Sequence, residues 1–204
     1  MCFISDRDLL LYEPNILNEV IFTSQNIIEN AACDFDGFVL TSDAVDFNEY
    51  PIQAGGILKL NDKSYEIVEK ISANKLRLSQ IRVNASDPYI KGSYSQNGVF
   101  SVPTFKHQIS LVHESLLSHL NVEQDQILDI NNIQEIEANL VLFQIYSAAI
   151  AMGEEGHFMN KIKMEHYDKK YKNLIERLAI EIDSDSESVP NHLIHLNSIQ
   201  LKRT

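Results

Sequence analysis

One uncharged stretch constrains this chain more than any other feature of its sequence. Residues 138–153 read ANLVLFQIYSAAIAMG and contain no charged side chain. From Ile133 and Ile136 onward, apolar residues recur every three or four positions, as they do along one face of an α-helix. The pattern predicts a helix that is buried on most of its circumference. Asn132, followed three residues later by Glu135, predicts the start of this helix as a capping pair.

A second helix is expected directly after the first. Gly153 and Gly156 bracket two glutamates and predict a short turn, so the two helices should fold back as an antiparallel hairpin. The second helix is predicted over residues 157–182. Its apolar stripe consists of Tyr167, Tyr171, Leu174, Leu178 and Ile182.

The segment before these helices has a different pattern. Residues 34–104 contain short runs of strand-forming residues separated by turn residues. Asn61-Asp62-Lys63 lies between two such runs and predicts a hairpin, and residues 75–82 alternate apolar and polar side chains in their first part. Residues 84–98 contain one proline and two glycines and are predicted to form an extended loop. Four or five strands would form a small sheet or a partly closed barrel.

The sequence therefore predicts the α+β class, with an antiparallel helical bundle and an inserted small antiparallel β-sheet or β-barrel. The bundle core spans 105–182, where a helix beginning at Phe105 precedes the hairpin, and the β-rich insertion spans 34–104. Residues 1–33 are expected to pack on the helical unit as a short helix from about Asn15 followed by a strand or a second helix. Residues 183–204 are expected to form an acidic loop and a terminal strand or tail.

Composition excludes several classes of partner. The formal net charge of −12 disfavours binding to nucleic acid through phosphate contacts, and it disfavours anionic membranes. We expect no membrane span and no signal peptide, and hence a soluble protein made in a cytoplasm. Cys2 and Cys33 are too few for a disulfide framework or a cysteine zinc site, so both are expected to be free thiols.

An acidic segment near the end of the chain has the spacing of a calcium loop. The candidate ligands are Asp183, Asp185, Glu187 and Asn191, because oxygen atoms at alternate positions converge on a hard cation when a loop curls around it. Ser188 stands where such a loop has glycine, and Ile194 stands where it has a bidentate glutamate. We therefore favour a solvated acidic loop over a calcium site, and no cofactor is expected.

No sequence motif indicates an enzyme. His113-Glu114 with His119 has only a superficial likeness to the zinc-protease pattern, because its histidines are six residues apart and point to different sides of a helix. The chain has no Gly-x-Ser-x-Gly elbow, no phosphate-binding loop and no dinucleotide-binding glycine pattern. We expect a protein without catalytic residues. Among the functional hypotheses, a metal-dependent enzyme has the least support from the sequence.

The second predicted helix carries charges of both signs. Lys169, Lys170 and Lys172 make one part basic, whereas Glu176 and Glu181 begin an acidic part. One interpretation is a solvated helix face with mixed ion pairs. The other is a head-to-tail contact in which the basic part of one subunit meets the acidic part of the next, so that a ring can close. These five residues are the candidate subunit interface.

A family likeness rests on three features of the sequence. They are the predicted helices, the tyrosine-bearing stretch Met164-Glu-His-Tyr167-Asp-Lys-Lys-Tyr171 and the final segment from His195 to Arg203. It resembles the head-tail connector, or head-completion adaptor, proteins of tailed bacteriophages over roughly half of its length. The β-rich residues 34–104 depart from the simplest helical members and would be an insertion or an outer decoration.

The resemblance implies a structural virion protein located in the neck. It implies a homo-oligomeric ring, with twelve copies as the expected number, between the portal protein and the tail or neck proteins. DNA would only pass through the ring lumen, and no membrane would be involved. The competing hypothesis is a non-enzymatic, soluble binding module with a small β-barrel and a helical hairpin for dimerisation.

Overall fold

A computed structural model of the chain describes residues 2–22, 25–128, 130–152, 157–177, 179–182 and 192–195. The chain divides into two compact units, Ser5–Lys106 and a second unit made of Met1–Ile4 with His107–Thr204. The α+β class is confirmed. The helices are α1 (Asp6–Tyr12), α2 (Ile16–Glu19), α3 (Lys106–Leu120), α4 (Ile130–Ala151) and α5 (His157–Arg177). The strands are β1 (Asn26–Phe35), β2 (Val39–Thr41), β3 (Ile57–Leu60), β4 (Lys63–Ser72), β5 (Lys75–Ser79), β6 (Ser95–Pro103), β7 (Ala179–Ile182) and β8 (His192–His195).

Six strands of the first unit form a closed antiparallel barrel in the order β1-β2-β5-β4-β3-β6. This confirms the barrel alternative of the prediction, with six strands in place of four or five and with a closed in place of a partly closed barrel. The tight turn between β3 and β4 is made by Asn61 and Asp62, whose φ angles of 48° and 67° are both positive. Asparagine and aspartate tolerate this conformation, and the resulting turn twists in the same sense as the strands that it joins. The hairpin predicted at this position is therefore confirmed.

The barrel interior is filled by alternate residues of its strands. Leu76 and Leu78 on β5 are fully buried, whereas Lys75 between the turn and Leu76 is exposed. The same alternation brings large side chains of other strands inward, among them Phe35 and Phe100. Full burial of each such side chain stabilises the fold by about 1.5–3 kcal/mol. The barrel thus has a hydrophobic core of its own.

Two boundaries in the β region differ from the sequence prediction. The first strand begins at Asn26, before the expected start at residue 34. The predicted loop over 84–98 is wrong from Ser95 onward, because β6 begins there. Gly98 was read as a turn residue, but it lies buried in β6, where an added Cβ would come within 2.8 Å of Leu60 Cδ1. Close packing, and not a turn, requires glycine at this position.

A buried ion pair holds the segment between β5 and β6. Arg82 is 4% exposed and Glu66 of β4 is 2% exposed. The guanidinium of Arg82 donates to both carboxylate oxygens of Glu66, at 2.6 and 3.2 Å, and a third hydrogen bond of 2.7 Å runs to the carbonyl oxygen of Asp87. Tyr89 lies over the same guanidinium at 5.0 Å. Bidentate geometry of this kind compensates part of the cost of burying both charges.

The second unit contains the three long helices. Ile109, Val112, Leu116 and Leu120 form the buried stripe of α3, as predicted. Helix α4, which contains the uncharged stretch as far as Ala151, is buried on most of its circumference, which is also as predicted. A cluster formed by the second half of α3, the first half of α4 and the second half of α5 also contains Phe3. None of the helices in the described ranges is long and apolar enough to cross a membrane.

The predicted ends of the helices need correction. Helix α4 begins at Ile130, so Asn132 and Glu135 lie within its first turns and do not mark its start. Helix α5 ends at Arg177 and not at Ile182, because β7 pairs antiparallel with β8. A terminal strand or tail was predicted within residues 183–204, and β8 covers His192–His195. Residues 196–204 lie outside the described part of the chain.

The elements of the N-terminal segment are partly as predicted. The prediction assigned residues 1–33 to packing on the helical unit, whereas the chain from Ser5 onward belongs to the barrel unit. The helix expected from about Asn15 is α2, and the alternative of a strand through Ile28 is confirmed as β1. Helix α1 was missed, although Ser5 and Asp8 form a capping box at its start. Asp8 Oδ2 accepts hydrogen bonds of 2.8 Å from both the N–H and the hydroxyl of Ser5.

Cys33 is a buried free thiol, and burial raises its pKa to about 11, so it is unreactive at neutral pH.

Candidate interaction surface

The rotation of α5 about its own axis is set by its packing on α4. The rings of Tyr146 on α4 and Tyr167 on α5 are parallel, with centroids 5.9 Å apart. Lys163 Nζ lies 3.4 Å from the hydroxyl of Tyr146 and 5.5 Å from the centroid of its ring. Further along α5, Tyr171 and Leu174 join the apolar cluster of the helical unit, as the predicted stripe required. Helices α4 and α5 therefore run antiparallel with one defined face of α5 inward.

The first turns of α5 have an unusual distribution of polarity. Asn160 faces inward and is 5% exposed, and no hydrogen-bond partner for its Nδ2 atom exists among the described residues. Phe158 and Ile162 are each two residues away from Asn160, which is about 200° of helical rotation at about 100° per residue. They point outward and are 73% and 44% exposed, and Met159 between them is 54% exposed. The outward face thus begins with three large apolar side chains.

The charge on α5 is opposite to that of the chain. Six cations and three acids give residues 157–177 a net charge of +3, whereas the whole chain carries −12. Two ion pairs between neighbouring turns neutralise part of this charge, Lys161 with Glu165 at 4.0 Å and Lys172 with Asp168 at 2.7 Å. Such exposed pairs contribute only a few tenths of a kcal/mol to stability. We call the outward apolar residues Phe158, Met159 and Ile162, with the exposed lysines of the same helix, the α5 surface.

The structure brings together four of the five predicted interface residues. Lys169, Lys170, Lys172 and Glu176 all lie exposed on α5. Lys170 Nζ lies 5.9 Å from the ring of Tyr167, so its position is linked to the packed face of the helix. Glu181 belongs to β7, not to the helix, and its side chain is outside the described part of the structure.

The predicted calcium ligands Asp183, Asp185, Glu187 and Asn191 also lie outside the described residues. Within the described ranges, no three His, Cys, Asp or Glu side chains are close enough together to hold a metal ion. His113 and His119 do not form a zinc site. Their spacing places them on different sides of α3, and His113 is buried whereas His119 is exposed.

His113 forms the main buried polar contact of the helical unit. Its Nδ1 atom lies 2.8 Å from Oε1 of the fully buried Glu137 on α4, and its ring packs edge-on against Phe3 at 4.8 Å. The Nε2 atom of Gln134 donates to the backbone oxygen of Phe3 at 2.8 Å. Burial lowers the pKa of His113. These contacts join α3, α4 and the N-terminal residues, which is a structural role.

Sequence reasoning missed the apolar part of the α5 surface. Phe158, Met159 and Ile162 fall outside the apolar stripe that contains Tyr167 and Tyr171. The prediction considered only this stripe, so it assigned no role to the three residues. Their spacing of one, three and four residues is the available signal, because residues so spaced lie together on a helix. Together they form an exposed cluster of three large apolar side chains off the buried stripe.

Comparison of the chain with protein-family models, with curated proteins and with solved structures finds no match in any of the three. The inferences below therefore depend on the geometry of the chain itself.

Proposed function

We propose that this chain is a non-enzymatic assembly protein that forms a homo-oligomeric ring through the α5 surface. The observation that carries the proposal is the exposure of Phe158, Met159 and Ile162 on the outward face of a basic helix in an acidic chain. Apolar residues clustered on a surface favour protein contact. The net positive charge of α5 favours an acidic partner, and a second copy of this chain supplies one.

The contact between copies is heterologous in this proposal. The α5 surface of one subunit meets an acidic surface of the next, and a ring forms if the rotation between neighbours closes. The apolar residues provide most of the contact free energy, while Lys169, Lys170 and Lys172 select the acidic partner surface and set the register.

The virion neck of a tailed bacteriophage is the setting that we propose for this ring. Helices α3, α4 and α5 act as an antiparallel bundle that contacts the portal protein and the tail or neck proteins, and the barrel decorates it. The acidic balance of the chain suits a lumen through which DNA passes without binding. The predicted likeness to head-tail connectors supports this setting, and the α5 surface supports assembly in general.

Sedimentation velocity tests the assembly step. The wild-type chain should associate weakly as its concentration rises from about 10 µM to about 1 mM, and Phe158→Ser with Ile162→Ser should abolish this association. The control is the double variant Leu111→Ser with Ile71→Ser, which removes two apolar side chains outside α5 that are 49% exposed on α3 and 41% exposed on β4. If the control and the α5 double variant weaken association equally, or if neither does, the α5 surface is not the contact.

Charge reversal tests the electrostatic part of the contact. Lys169→Glu, Lys170→Glu and Lys172→Glu together should impair assembly and make it insensitive to salt, while the melting temperature changes little, because the three side chains are exposed. The control variant makes the same change in net charge at three exposed lysines of the barrel, Lys63, Lys70 and Lys75. Equal impairment by both variants would indicate general repulsion between acidic copies.

Purified virions test the biological setting. Mass spectrometry should find the chain in the particle, and electron microscopy should find a ring of it between portal and tail. Incubation with the portal protein should order rings at concentrations at which the chain alone is monomeric. If the chain is absent from particles and forms no ring on the portal protein, the proposed location in the neck is refuted. The α5 surface would then be tested by sedimentation alone.

The alternative function is a soluble binding module that dimerises through the α4–α5 hairpin. The closed barrel with its own core favours it, since the packing of such a unit needs no neighbouring subunit of a ring. A stable dimer in solution that does not grow into larger species would favour the module over the connector.

A further inference from the structure

The connection between α3 and α4 presents acidic and apolar side chains together. Glu123 and Asp125 are exposed at a 3₁₀ turn in this connection, and Glu135 is exposed in the first turns of α4. Leu128 and Ile130 lie between them in the chain and are 36% and 46% exposed. We call these five residues the connection surface. From residue 107 to residue 160 the sequence contains no lysine or arginine, so neither α3 nor α4 supplies a cation to neutralise it.

Unpaired charges of opposite sign are present on the connection surface and on the α5 surface. Among the described residues, the side chains of Asp125 and Glu135 form no hydrogen bond and no ion pair. On α5, Lys169 and Lys170 have no acidic partner in the same part of the chain, whereas Lys172 is paired with Asp168. A contact between the two surfaces therefore forms new ion pairs without breaking existing ones.

The acidic residues of the barrel are less suitable partners for α5. Its most acidic stretch, residues 34–49, contains Asp34, Asp36, Asp43, Asp46 and Glu49. Three of these carboxylates already accept backbone N–H groups. Cations are also close, because Lys70 Nζ lies 3.4 Å from the carbonyl oxygen of Phe47 and Lys75 pairs with Thr41 across the sheet. The connection surface differs in both respects, since two of its carboxylates are unpaired and its part of the chain has no cation.

The outward face of α5 combines apolar contact area with one of the unpaired cations. Ile162 and Lys169 follow Phe158 by four and eleven residues, so both lie within about 40° of Phe158 around the helix at about 100° per residue. Lys169 is about 16 Å further along the axis at about 1.5 Å per residue. The α5 surface and the connection surface thus offer the same two kinds of contact, with charges of opposite sign.

The apolar part of the α5 surface cannot reach the connection surface of its own chain. Helix α4 has 22 residues and separates the connection from the turn that precedes α5. At about 1.5 Å per residue, its ends are about 33 Å apart. Phe158 begins at the turn end of α4, whereas Ile130 lies at the connection end. Contact between these two surfaces therefore requires a second copy of the chain.

We propose that the acidic partner of the α5 surface is the connection surface of a second copy of this chain. This inference rests on the proposed function and names the neighbour's side of that contact. The exposed apolar residues of the two surfaces pack together, and the two unpaired lysines of α5 pair with the two unpaired acids of the connection surface. Each subunit then keeps one surface of each kind for a further neighbour, so the contact is heterologous and continues until a ring closes.

Sedimentation velocity with two charge-reversed variants tests this pairing. Lys169→Glu with Lys170→Glu is the lysine variant, and Asp125→Lys with Glu135→Lys is the connection variant. Each alone should weaken association at least about tenfold, because like charges then face each other. An equimolar mixture of the two should restore association to within about threefold of the wild type, because every α5 surface again finds a connection surface of opposite charge. All four side chains are exposed, so the melting temperatures should change little.

The matched control is a barrel variant, Glu29→Lys with Glu49→Lys. It makes the same change in net charge as the connection variant, at two acids that are exposed and have no hydrogen bond or ion pair among the described residues. Alone, it should associate like the wild type. Mixed with the lysine variant, it should restore nothing, because restoration depends on where the new cations lie and not on their number.

Three results would overturn this inference. They are wild-type association by the connection variant, no gain in the mixture of lysine and connection variants, and equal restoration by the barrel variant. If Phe158→Ser with Ile162→Ser abolishes association in the same experiments, only the neighbour's side of the contact is wrong. If that variant associates normally, or if the wild-type chain does not associate at about 1 mM, the α5 contact itself is refuted and this inference with it.

Discussion

Replacing Asp6 by asparagine should change how the stability of the chain depends on pH. Asp6 begins α1 and is 7% exposed. Its two carboxylate oxygens accept a hydrogen bond of 2.6 Å from the Thr104 hydroxyl and one of 2.7 Å from the Phe105 N–H. Burial raises the pKa of Asp6 from 3.8 to about 6, although both hydrogen bonds act to lower it. The carboxyl group therefore carries a proton in the folded chain at a pH where it is ionised in the unfolded chain.

The sign and size of the effect follow from these two pKa values. The folded chain binds the proton more tightly, so the stabilisation is complete below the unfolded pKa and is lost as the pH rises through about 6. Each pH unit between the two values is worth about 1.4 kcal/mol, and the full difference is about 3 kcal/mol. Asparagine has nearly the same volume and does not titrate. Its Oδ1 can still accept from Phe105, while the Thr104 hydroxyl can rotate to accept from Nδ2.

Urea unfolding of both proteins, in unit steps from about pH 4 to about pH 7, measures this effect. Subtracting the free energies of the variant from those of the wild type cancels the groups that both share. The difference should fall by about 2–3 kcal/mol across the range. Protein concentrations should be low, since the sequence pI of about 4.9 lies within it. A flat difference, or one that rises with pH, would refute the assignment of a proton to buried Asp6.

Two further predictions concern the other buried polar contacts. Glu66→Leu alone should lower the free energy of unfolding by about 3–5 kcal/mol, because it leaves the Arg82 charge buried without its partner. Adding Arg82→Met should recover more than half of that loss in urea melts, whereas additive losses would show that the pair itself is the stabilising element. For His113, whose pKa is lowered by burial, stability should fall as the pH drops below 6.5, opposite in sign to Asp6. NMR titration of its ring should give a midpoint below 6.5, and a midpoint above it would contradict the effect of burial.

Elements set by local chemistry were predictable from the sequence. The turn at Asn61-Asp62 follows from the tolerance of these residues for positive φ, and the strand with Leu76 and Leu78 follows from strict alternation. Likewise, the absence of charge over residues 138–150 of α4 reflects the fact that none of these residues is exposed. In each case a few neighbouring residues contain all of the necessary information.

Elements set by distant contacts were not predictable. Gly98 is a strand residue because Cys33, far away along the chain, pairs with it, and an added Cβ atom would come within 2.8 Å of Leu60 Cδ1. The pairing of Glu66 with Arg82 joins two segments whose charges look solvated in the sequence. Strand β1 begins at Asn26 because β6 pairs with it, and residues 26–33 lack the alternation that identifies a strand.

The α5 surface shows why assembly through it needs many contacts at once. Phe158, Met159 and Ile162 are between 44% and 73% exposed, so covering them releases about 1–2 kcal/mol each when full burial is worth about 1.5–3 kcal/mol. The sum is about 3–6 kcal/mol, whereas association of two proteins costs about 4–15 kcal/mol in lost translational and rotational freedom. A single α5 contact between two free subunits is therefore weak. When a partner already holds several subunits side by side, the subunits have lost most of their translational and rotational freedom before they touch. The same contact between neighbours then becomes favourable. In the proposed ring, this difference would let the chain stay monomeric in solution and assemble on a template without a conformational switch.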